Sequence, residues 1–177
     1  MPKIRKWQKI KSEIVYKKYG RGVKKVIFKM PDGGKSDFYV NIQDNPVCVL
    51  ALTKDKKVIS ARQFRPGPNK ILDELPGGYI EPGEAPTKAM ARELLEETGY
   101  RGKLKMIGRS FECAYSTVHR YCFVATDCVK ISEPRPEAGE QTEVVLYSLP
   151  NFRKLLRSGE VTDAEVGYFG LDYLKLL

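Results

Sequence analysis

Three glutamates near the middle of the chain stand at spacings that suit the binding of a metal ion. Glu93, Glu96 and Glu97 are related by i, i+3 and i+4, which places their carboxylates on one face of a helix. Crowded negative charges need a cation, and carboxylate oxygens suit Mg²⁺ or Mn²⁺. Because these ions also bind diphosphate oxygens, the glutamates predict a metal-dependent site for a substrate that contains a diphosphate.

The segment that must position these glutamates reads as a loop followed by a helix. From Ala85 to Thr98 the composition changes to Ala, Met, Leu, Glu and Arg, with Pro86 suited to a first turn and Gly99 to an end. Glu84 lies just before this helix and Arg92 lies within it. A salt bridge between the two is expected to hold the loop against the helix while Glu93 faces the metal.

The stretch from Gly78 to Tyr100 resembles a complete Nudix box: glycine, five residues, glutamate, seven residues, then Arg-Glu-apolar-x-Glu-Glu-x-Gly-apolar. The resemblance implies an α/β/α sandwich around a mixed sheet, the hydrolysis of nucleoside diphosphates linked to another moiety, and Mg²⁺ as cofactor, with Mn²⁺ as a substitute. It further implies two sets of site residues. The metal ligands are the Gly77 carbonyl and the carboxylates of Glu93, Glu96 and Glu97. The catalytic set includes Arg92 and Glu84, the latter as a structural partner or an outer partner of the metal.

The flanks of the box resemble the ADP-ribose and ADP-sugar pyrophosphatase branch of this family. The similar segments are Arg62-Gln63-Phe64-Arg65-Pro66, Glu74-Leu75-Pro76-Gly77-Gly78 and Ser158-Gly159-Glu160-Val161-Thr162-Asp163-Ala164. The branch implies attack by water on one phosphorus of a nucleoside diphosphate sugar, releasing a nucleoside monophosphate and a sugar phosphate. Arg65 matches the phosphate-contacting arginine of the branch, and Glu74 is assigned to the substrate site with it.

The resemblance places the general base on the loop before the last strand, where the branch is thought to carry a catalytic glutamate. Position relative to the apolar residues that follow favours Glu140, then Glu143.

The sequence departs from the ADP-ribose branch at one place that concerns the substrate. Enzymes that act on ADP-ribose usually have a proline in the region after the box, whereas Cys113–His119 contains none. A GDP- or UDP-linked sugar therefore stays open.

The rest of the pattern predicts a small antiparallel β meander in residues 1–45 and the Nudix hydrolase domain in residues 46–177. The meander strands are expected at Ser12–Lys18, Val23–Met30 and Asp37–Val40. In the hydrolase domain, strands are expected at Pro46–Leu52, Val58–Phe64, Leu104–Glu112, Tyr121–Val129 and Val144–Ser148. Helices are expected at Ala85–Thr98, Phe152–Arg157 and Ala164–Leu176.

The formal charge of +9 lies entirely in residues 1–25, which hold ten Lys or Arg residues against Glu13. A solvated edge that discourages strand aggregation is favoured for this basic segment. The alternative is an RNA-directed Nudix enzyme or an RNA-binding protein that uses the basic N-terminus, although the chain lacks an RNA-binding aromatic signature such as RNP1. The resemblance instead implies a homodimer formed through the N-terminal meander.

Other features bear on compartment and class. No apolar run approaches the roughly 20 residues needed to cross a bilayer, and the first residues lack the apolar core of a signal peptide, so a cytoplasmic protein without a membrane partner is expected. The four cysteines form no CxxC pair, so neither structural zinc nor disulfides are expected. A non-catalytic ligand sensor would be expected to have lost a glutamate of the box, and none is lost.

Overall fold

The chain folds into two compact units. The computed structural model describes residues 3–135 and 141–177. One unit comprises the chain up to Asn45 together with Phe111–His119, and the other comprises Pro46–Ser110 and Arg120–Leu177. Within the described ranges, none of the helices has the length and apolar character that a membrane crossing requires.

The first unit contains an antiparallel sheet of three strands, which confirms the predicted meander. In chain order and across the sheet, the strands are β1 (Gln8–Lys18), β2 (Arg21–Lys29) and β3 (Lys35–Ile42). Tyr19 and Gly20 reverse the chain between β1 and β2, with φ angles of 50° and 74°. Trp7, Phe28 and Phe38 pack together with ring centroids between 5.7 and 6.2 Å apart, which gives the small sheet an aromatic cluster of its own.

The second unit is built on a mixed sheet of seven strands. They are β4 (Pro46–Thr53), β5 (Val58–Arg65), β6 (Lys70–Glu74), β7 (Gly77–Tyr79), β8 (Tyr100–Phe111), β9 (His119–Lys130) and β10 (Thr142–Tyr147). Five of these strands lie side by side in the order β10-β5-β4-β9-β8. The β4 strand runs parallel to β9 and antiparallel to β5, and β10 runs antiparallel to β5, so the sheet is mixed.

Helices cover both faces of this sheet. They are α1 (Pro86–Thr98), α2 (Leu149–Ser158) and α3 (Ala164–Tyr173). Successive side chains of a strand point to opposite faces. In β4, Val47 and Val49 therefore pack into the core beneath α1, whereas Cys48 and Leu50 pack into the core beneath α2 and α3. This arrangement is an α/β/α sandwich, and the predicted fold class is confirmed.

Two short strands that the sequence did not indicate bring the site segments into the sheet. The β4 and β5 strands pair directly only where Ala51 meets Ile59 and Leu52 meets Val58. Beyond these pairs, β7 pairs with the first half of β4, and β6 pairs with the second half of β5. Glu74 at the end of β6 and the glycine pair at the start of β7 are therefore fixed by sheet hydrogen bonds.

The C-terminal helices differ from their predicted bounds. Ser148, predicted to end a strand, instead caps α2, and its hydroxyl accepts a hydrogen bond from the backbone N–H of Asn151. Leu149 and Pro150 accordingly form the first turn, three residues before the predicted start. At the other end, α3 stops at Tyr173 rather than continuing to Leu176.

Candidate active site

Helix α1 presents the carboxylates that the sequence singled out. Gly99 ends the helix in the left-handed conformation, with φ of 74°, and donates its N–H to the carbonyl of Leu95. Ala89, Met90 and Leu94 are buried against the sheet. Because these residues fix the orientation of the helix, the remaining face turns its charged side chains toward β7 and the loop before the helix.

Arg92 connects the loop to the helix, and the predicted salt bridge to Glu84 is present. Its Nε and Nη2 atoms donate to the two carboxylate oxygens of Glu84 at 3.1 and 3.0 Å. Nη2 also donates to the backbone carbonyl of Tyr79 at 3.0 Å. The hydrogen bonds from Arg92 to Glu84 lower the pKa of the Glu84 carboxyl. A two-pronged guanidinium–carboxylate pair of this kind fixes both distance and orientation.

Arg92 and the backbone of Gly77 donate hydrogen bonds to the three glutamates on the helix. Nη1 of Arg92 donates to Glu93 at 2.8 Å and to Glu96 at 3.1 Å. Glu97 accepts a hydrogen bond of 2.9 Å from the backbone N–H of Gly77. The Glu93 carboxylate lies so close to Gly78 that a Cβ added there would come within about 2.4 Å of it. A glycine is therefore required at position 78 for Glu93 to lie against β7.

The residues of this site fit a divalent cation in their donor chemistry. The donors proposed from the sequence are all carboxylate or carbonyl oxygens, the kind that Mg²⁺ prefers. The positive charge that the crowded carboxylates need comes here from Arg92, which contacts two of the three. In the part of the chain that the structure describes, no three His, Cys, Asp or Glu side chains converge in metal-binding geometry. The assignment of metal ligands therefore stays a prediction.

A cleft of about 620 Å³ lies where β5 ends and β10 begins. It is lined by Arg62–Arg65, by Pro66 and Ile71, and by Gln141–Glu143. The cleft thus contains Arg65, which the sequence assigned to the substrate, and Glu143, the second candidate base. Arg65 is only partly buried, with 37% of its side chain accessible, and it lines the cleft.

Glu74, the other residue assigned to the substrate, lies behind Arg65. Its side chain is only 3% exposed, and one carboxylate oxygen accepts hydrogen bonds from Arg65 at 2.5 Å and from Gln63 at 3.2 Å. The second oxygen accepts a bond of 2.6 Å from the hydroxyl of Thr162. Glu74 is not among the described residues that line the cleft. Its carboxylate instead serves three protein donors, as a buried charge requires.

A second ion pair at the cleft was not anticipated from the sequence. Arg62 donates to both carboxylate oxygens of Asp73, at 2.7 and 3.1 Å, and Tyr147 donates to the same carboxylate at 2.5 Å. Burial opposes the ionisation of Asp73, but the hydrogen bonds from Arg62 and Tyr147 outweigh it and lower the pKa of this carboxyl. The group joins β5, β6 and β10, whose residues are distant in the chain, and no local pattern in the sequence indicated it.

Of the two candidate bases, the structure describes only Glu143, which lies in β10. Glu143, the second candidate base, lies opposite Arg62 in the pairing of β10 with β5, and its carboxylate is 3.5 Å from the guanidinium. Its side chain is 67% exposed. Glu140, the first candidate, lies outside the described residues. On one side of it, the N–H of Arg135 donates to the carbonyl of Glu96 on α1 at 2.7 Å, and on the other, Gln141 lines the cleft.

Comparison with known proteins decides the family. The family model described as the NUDIX domain matches residues 43–166. The chain is also 32% identical to an ADP-ribose pyrophosphatase of Bacillus subtilis (strain 168) over 151 residues, covering 84% of this chain and 81% of that protein. The chain belongs to the Nudix family. This membership, with the pyrophosphatase relative, confirms the predicted hydrolase and its resemblance to the ADP-ribose pyrophosphatase branch.

Other relatives align over shorter stretches. The chain is 32% identical to an ADP-sugar pyrophosphatase of Mus musculus over 64% of this chain and 58% of that protein. It is 34% identical to a methanol dehydrogenase activator of Bacillus methanolicus over 56% of this chain and 54% of that protein. A crystal structure of an ADP compounds hydrolase superimposes over the whole of both chains with a TM-score of 0.80 at 19% identity, which supports the Nudix fold.

Proposed function

We propose that this Nudix hydrolase cleaves the diphosphate bond of a nucleoside diphosphate sugar, ADP-ribose or a related ADP-sugar, in a Mg²⁺-dependent reaction. The observation that carries the proposal is the cluster of box glutamates, with Glu93 and Glu97 against the two glycines of β7 and Arg92 joining the helix to its loop. The substrate class follows the relatives, of which the Bacillus subtilis and mouse proteins are pyrophosphatases of ADP-ribose and ADP-sugars.

The cofactor belongs to the same proposal. ADP-ribose pyrophosphatases of the Nudix family generally need a divalent metal ion, and we assign it to Mg²⁺, with Mn²⁺ as a substitute. Glu93, Glu96, Glu97 and the carbonyl of Gly77 would hold it. When bound, the metal would offset the diphosphate charge and lower the pKa of the attacking water. Arg92 must then share Glu93 and Glu96 with the metal, while its bonds to Glu84 keep the loop in place.

Arg65 is the residue we assign to the diphosphate. Its Nε atom is bound by Glu74, and among the described residues no acceptor is hydrogen-bonded to its two terminal nitrogens. These nitrogens lie on a guanidinium that lines the cleft. A fork of two N–H donors suits a pair of phosphate oxygens better than a single ammonium does.

Glu140 is our first candidate for the general base, and Glu143 the second. The base takes a proton from the attacking water while the oxygen of that water forms a bond to one phosphorus. The bond between that phosphorus and the bridging oxygen then breaks, and the bridging oxygen leaves with the other phosphate. A base must come within hydrogen-bond reach of the water. Glu143 is paired with Arg62 at 3.5 Å and would have to leave that partner. Glu140 follows a segment whose Arg135 is bonded to the backbone of α1, the helix of the metal ligands.

Two further predictions accompany this proposal. The homodimer formed through residues 1–45 and the cytoplasmic location stay predictions. The RNA-directed alternative gains no support from the relatives named above, so the basic N-terminus remains a solvated edge in this proposal.

A substrate panel tests the reaction. We expect release of a nucleoside monophosphate from ADP-ribose or ADP-glucose with Mg²⁺, none with EDTA, and little from GDP-mannose, UDP-glucose or 5′-triphosphorylated RNA. Glu93→Gln should lose the activity, whereas Glu160→Gln, the same change on an exposed side chain paired with Lys70, should keep it. Turnover that is indifferent to EDTA and to Glu93→Gln would contradict the proposal, and turnover of RNA alone would replace it with the RNA-directed alternative.

A further inference from the structure

The segment Ser158–Ala164 takes no part in the reaction as proposed above, yet it contacts the residue behind the substrate arginine. Thr162 lies in the connection between α2 and α3. Its hydroxyl donates to the buried carboxylate of Glu74 at 2.6 Å, and Glu74 in turn accepts from Arg65 at 2.5 Å. A continuous path of two hydrogen bonds thus joins this connection to the cleft.

The hydroxyl of Thr162 has one hydrogen and two carboxylates within reach. The oxygen of Asp163 lies 3.2 Å away, against 2.6 Å for the oxygen of Glu74. Since a hydroxyl donates to one acceptor at a time, the shorter distance assigns the hydrogen to Glu74. The Glu74 oxygen that Thr162 contacts is the one that Arg65 and Gln63 leave open, so the hydroxyl completes the partners of this carboxylate.

The backbone next to Thr162 is held by a partly buried ion pair. Arg120 on β9 lies 3.0 Å from Asp163 and is also bonded to Glu165 in the first turn of α3. The side chains of Arg120 and Asp163 are 16% and 15% exposed. Through these contacts, β9 holds both Asp163, the neighbour of Thr162, and the first turn of α3. The backbone at Thr162, from which its hydroxyl contacts Glu74, is therefore tied to the sheet through Asp163 and Arg120.

We propose that Thr162 is a positioning residue for Arg65 and acts through Glu74. The hydroxyl of Thr162 holds one oxygen of Glu74, and the other oxygen then holds the Nε atom of Arg65 so that its terminal nitrogens stay available to the substrate. The inference rests on the proposed function, because it concerns the arginine that we assign to the diphosphate. It also gives a structural reason why the Ser158–Ala164 segment occurs with the other flanking motifs.

The kinetic consequence is specific. Arg65 would contact the diphosphate in the bound substrate and in the transition state alike, so a loss of its orientation should raise KM more than it lowers kcat. Removal of one hydrogen bond to a charged group should reduce kcat/KM by about three- to thirtyfold. Because Thr162→Val also takes a donor from a buried carboxylate, it should lower the thermal unfolding midpoint as well, so the kinetics are compared at a temperature where the variant is folded.

The test compares two substitutions with a control from the same segment. Thr162→Val keeps the shape of the side chain and removes the donor, whereas Thr162→Ser keeps the donor. We expect Thr162→Val to raise KM for ADP-ribose and Thr162→Ser to restore most of the wild-type value. Thr162→Ala serves in place of Thr162→Val if the valine variant does not fold. Glu160→Gln breaks the exposed pair with Lys70 and should leave KM unchanged.

A double-mutant cycle distinguishes positioning from a general structural role. If Thr162 acts through Arg65, Thr162→Val should have almost no further effect on kcat/KM in an Arg65→Ala background. An equal loss in both backgrounds, or an unchanged KM in Thr162→Val and Thr162→Ala, would overturn the positioning role while leaving the proposed function in place. A wild-type protein that turns over no nucleotide sugar would overturn the proposed function, and this inference with it.

Discussion

Arg92 is the residue on which the charged face of α1 depends. One guanidinium serves Glu84, Glu93, Glu96 and the carbonyl of Tyr79, and proximity to these groups raises its pKa above the ordinary value, with the Glu84 hydrogen bond as the largest cause. The spacing of the three helix glutamates predicts that these crowded carboxylates need a cation. In this structure, the guanidinium of Arg92 supplies that positive charge.

Replacement of Arg92 by lysine should therefore affect stability. A lysine ammonium is a point charge and cannot make the two-pronged bond to Glu84 while it also reaches Glu93 and Glu96. We expect Arg92→Lys to lower the free energy of unfolding by about 1–3 kcal/mol, measured by urea denaturation. Arg157→Lys, in the last turn of α2, is the matched control. Equal stability of the two variants would contradict the role of Arg92.

Asp73 should contribute to acid sensitivity. Its pKa is lowered in the folded protein because the hydrogen bonds from Arg62 and Tyr147 outweigh the effect of burial. Because the ionised Asp73 is favoured in the folded protein, it contributes to the free energy of unfolding at pH values above its ordinary pKa of 3.8. This contribution is lost as the pH falls through the lower pKa of the folded state. Asp73→Asn should therefore lose less stability than the wild type between pH 5 and pH 3, as urea denaturation at each pH would measure. Asp172→Asn, an exposed aspartate at the end of α3, should behave like the wild type. Parallel losses in Asp73→Asn and the wild type would contradict the pKa argument.

Among the elements, α1 and β7 lie in direct contact, and Gly77 and Gly78 on β7 allow that close approach. A Cβ at Gly78 would meet the end of the Glu93 side chain at about 2.4 Å, and that flexible side chain can move away. A Cβ at Gly77 would meet the backbone carbonyl of Val47 at about 2.3 Å, which can move only with β4. The two glycines should therefore tolerate alanine differently.

We expect Gly78→Ala to fold with near wild-type stability and to lose about 10- to 100-fold in activity or metal affinity, because Glu93 is displaced. Gly77→Ala should instead lower the unfolding midpoint. Thermal denaturation and a Mg²⁺ titration of activity measure the two effects. Gly67→Ala, where an added Cβ has open space and no positive φ, is the control. Wild-type activity in a folded Gly78→Ala would contradict the close placement of Glu93 against β7.

The elements that could be predicted are those whose patterns are local. Helix α1 was indicated by its composition, its proline and its terminal glycine, and the long strands by apolar runs. The short strands β6 and β7 escaped notice because they lie beside Pro76 and two glycines and owe their pairing to the divergence of β4 from β5. The link from Thr162 to Glu74 joins residues 88 apart in the chain, and no local pattern reports such a contact.

At the scale of the whole molecule, the strand β1 bears on the predicted homodimer. Every residue of this strand is exposed, and it lies at the edge of the three-stranded sheet of its own unit. Ile10, Ile14 and Tyr16 are 46%, 55% and 59% exposed. An edge strand that carries exposed apolar side chains is a place where another chain can pair, even when lysines limit such pairing.

Sedimentation should therefore detect a dimer that depends on β1. We expect the wild type to sediment as a dimer and Ile14→Lys to shift it toward the monomer, because a charge replaces an apolar side chain on this strand. Val129→Lys changes a comparably exposed residue on β9, 42% accessible, and should leave the dimer intact. A monomeric wild type, or a dimer unaffected by Ile14→Lys, would contradict the proposed role of β1.

We propose that the carboxylates of α1 are required for metal-dependent hydrolysis of a nucleotide sugar. A Mg²⁺ titration of ADP-ribose hydrolysis by the wild type and Glu97→Gln tests this requirement, with AMP and ribose phosphate identified as products. We expect the wild-type rate to rise from zero with Mg²⁺ and the rate of Glu97→Gln to stay near zero at every concentration. A wild-type rate that does not depend on Mg²⁺, or a Glu97→Gln variant with the wild-type titration curve, would contradict it.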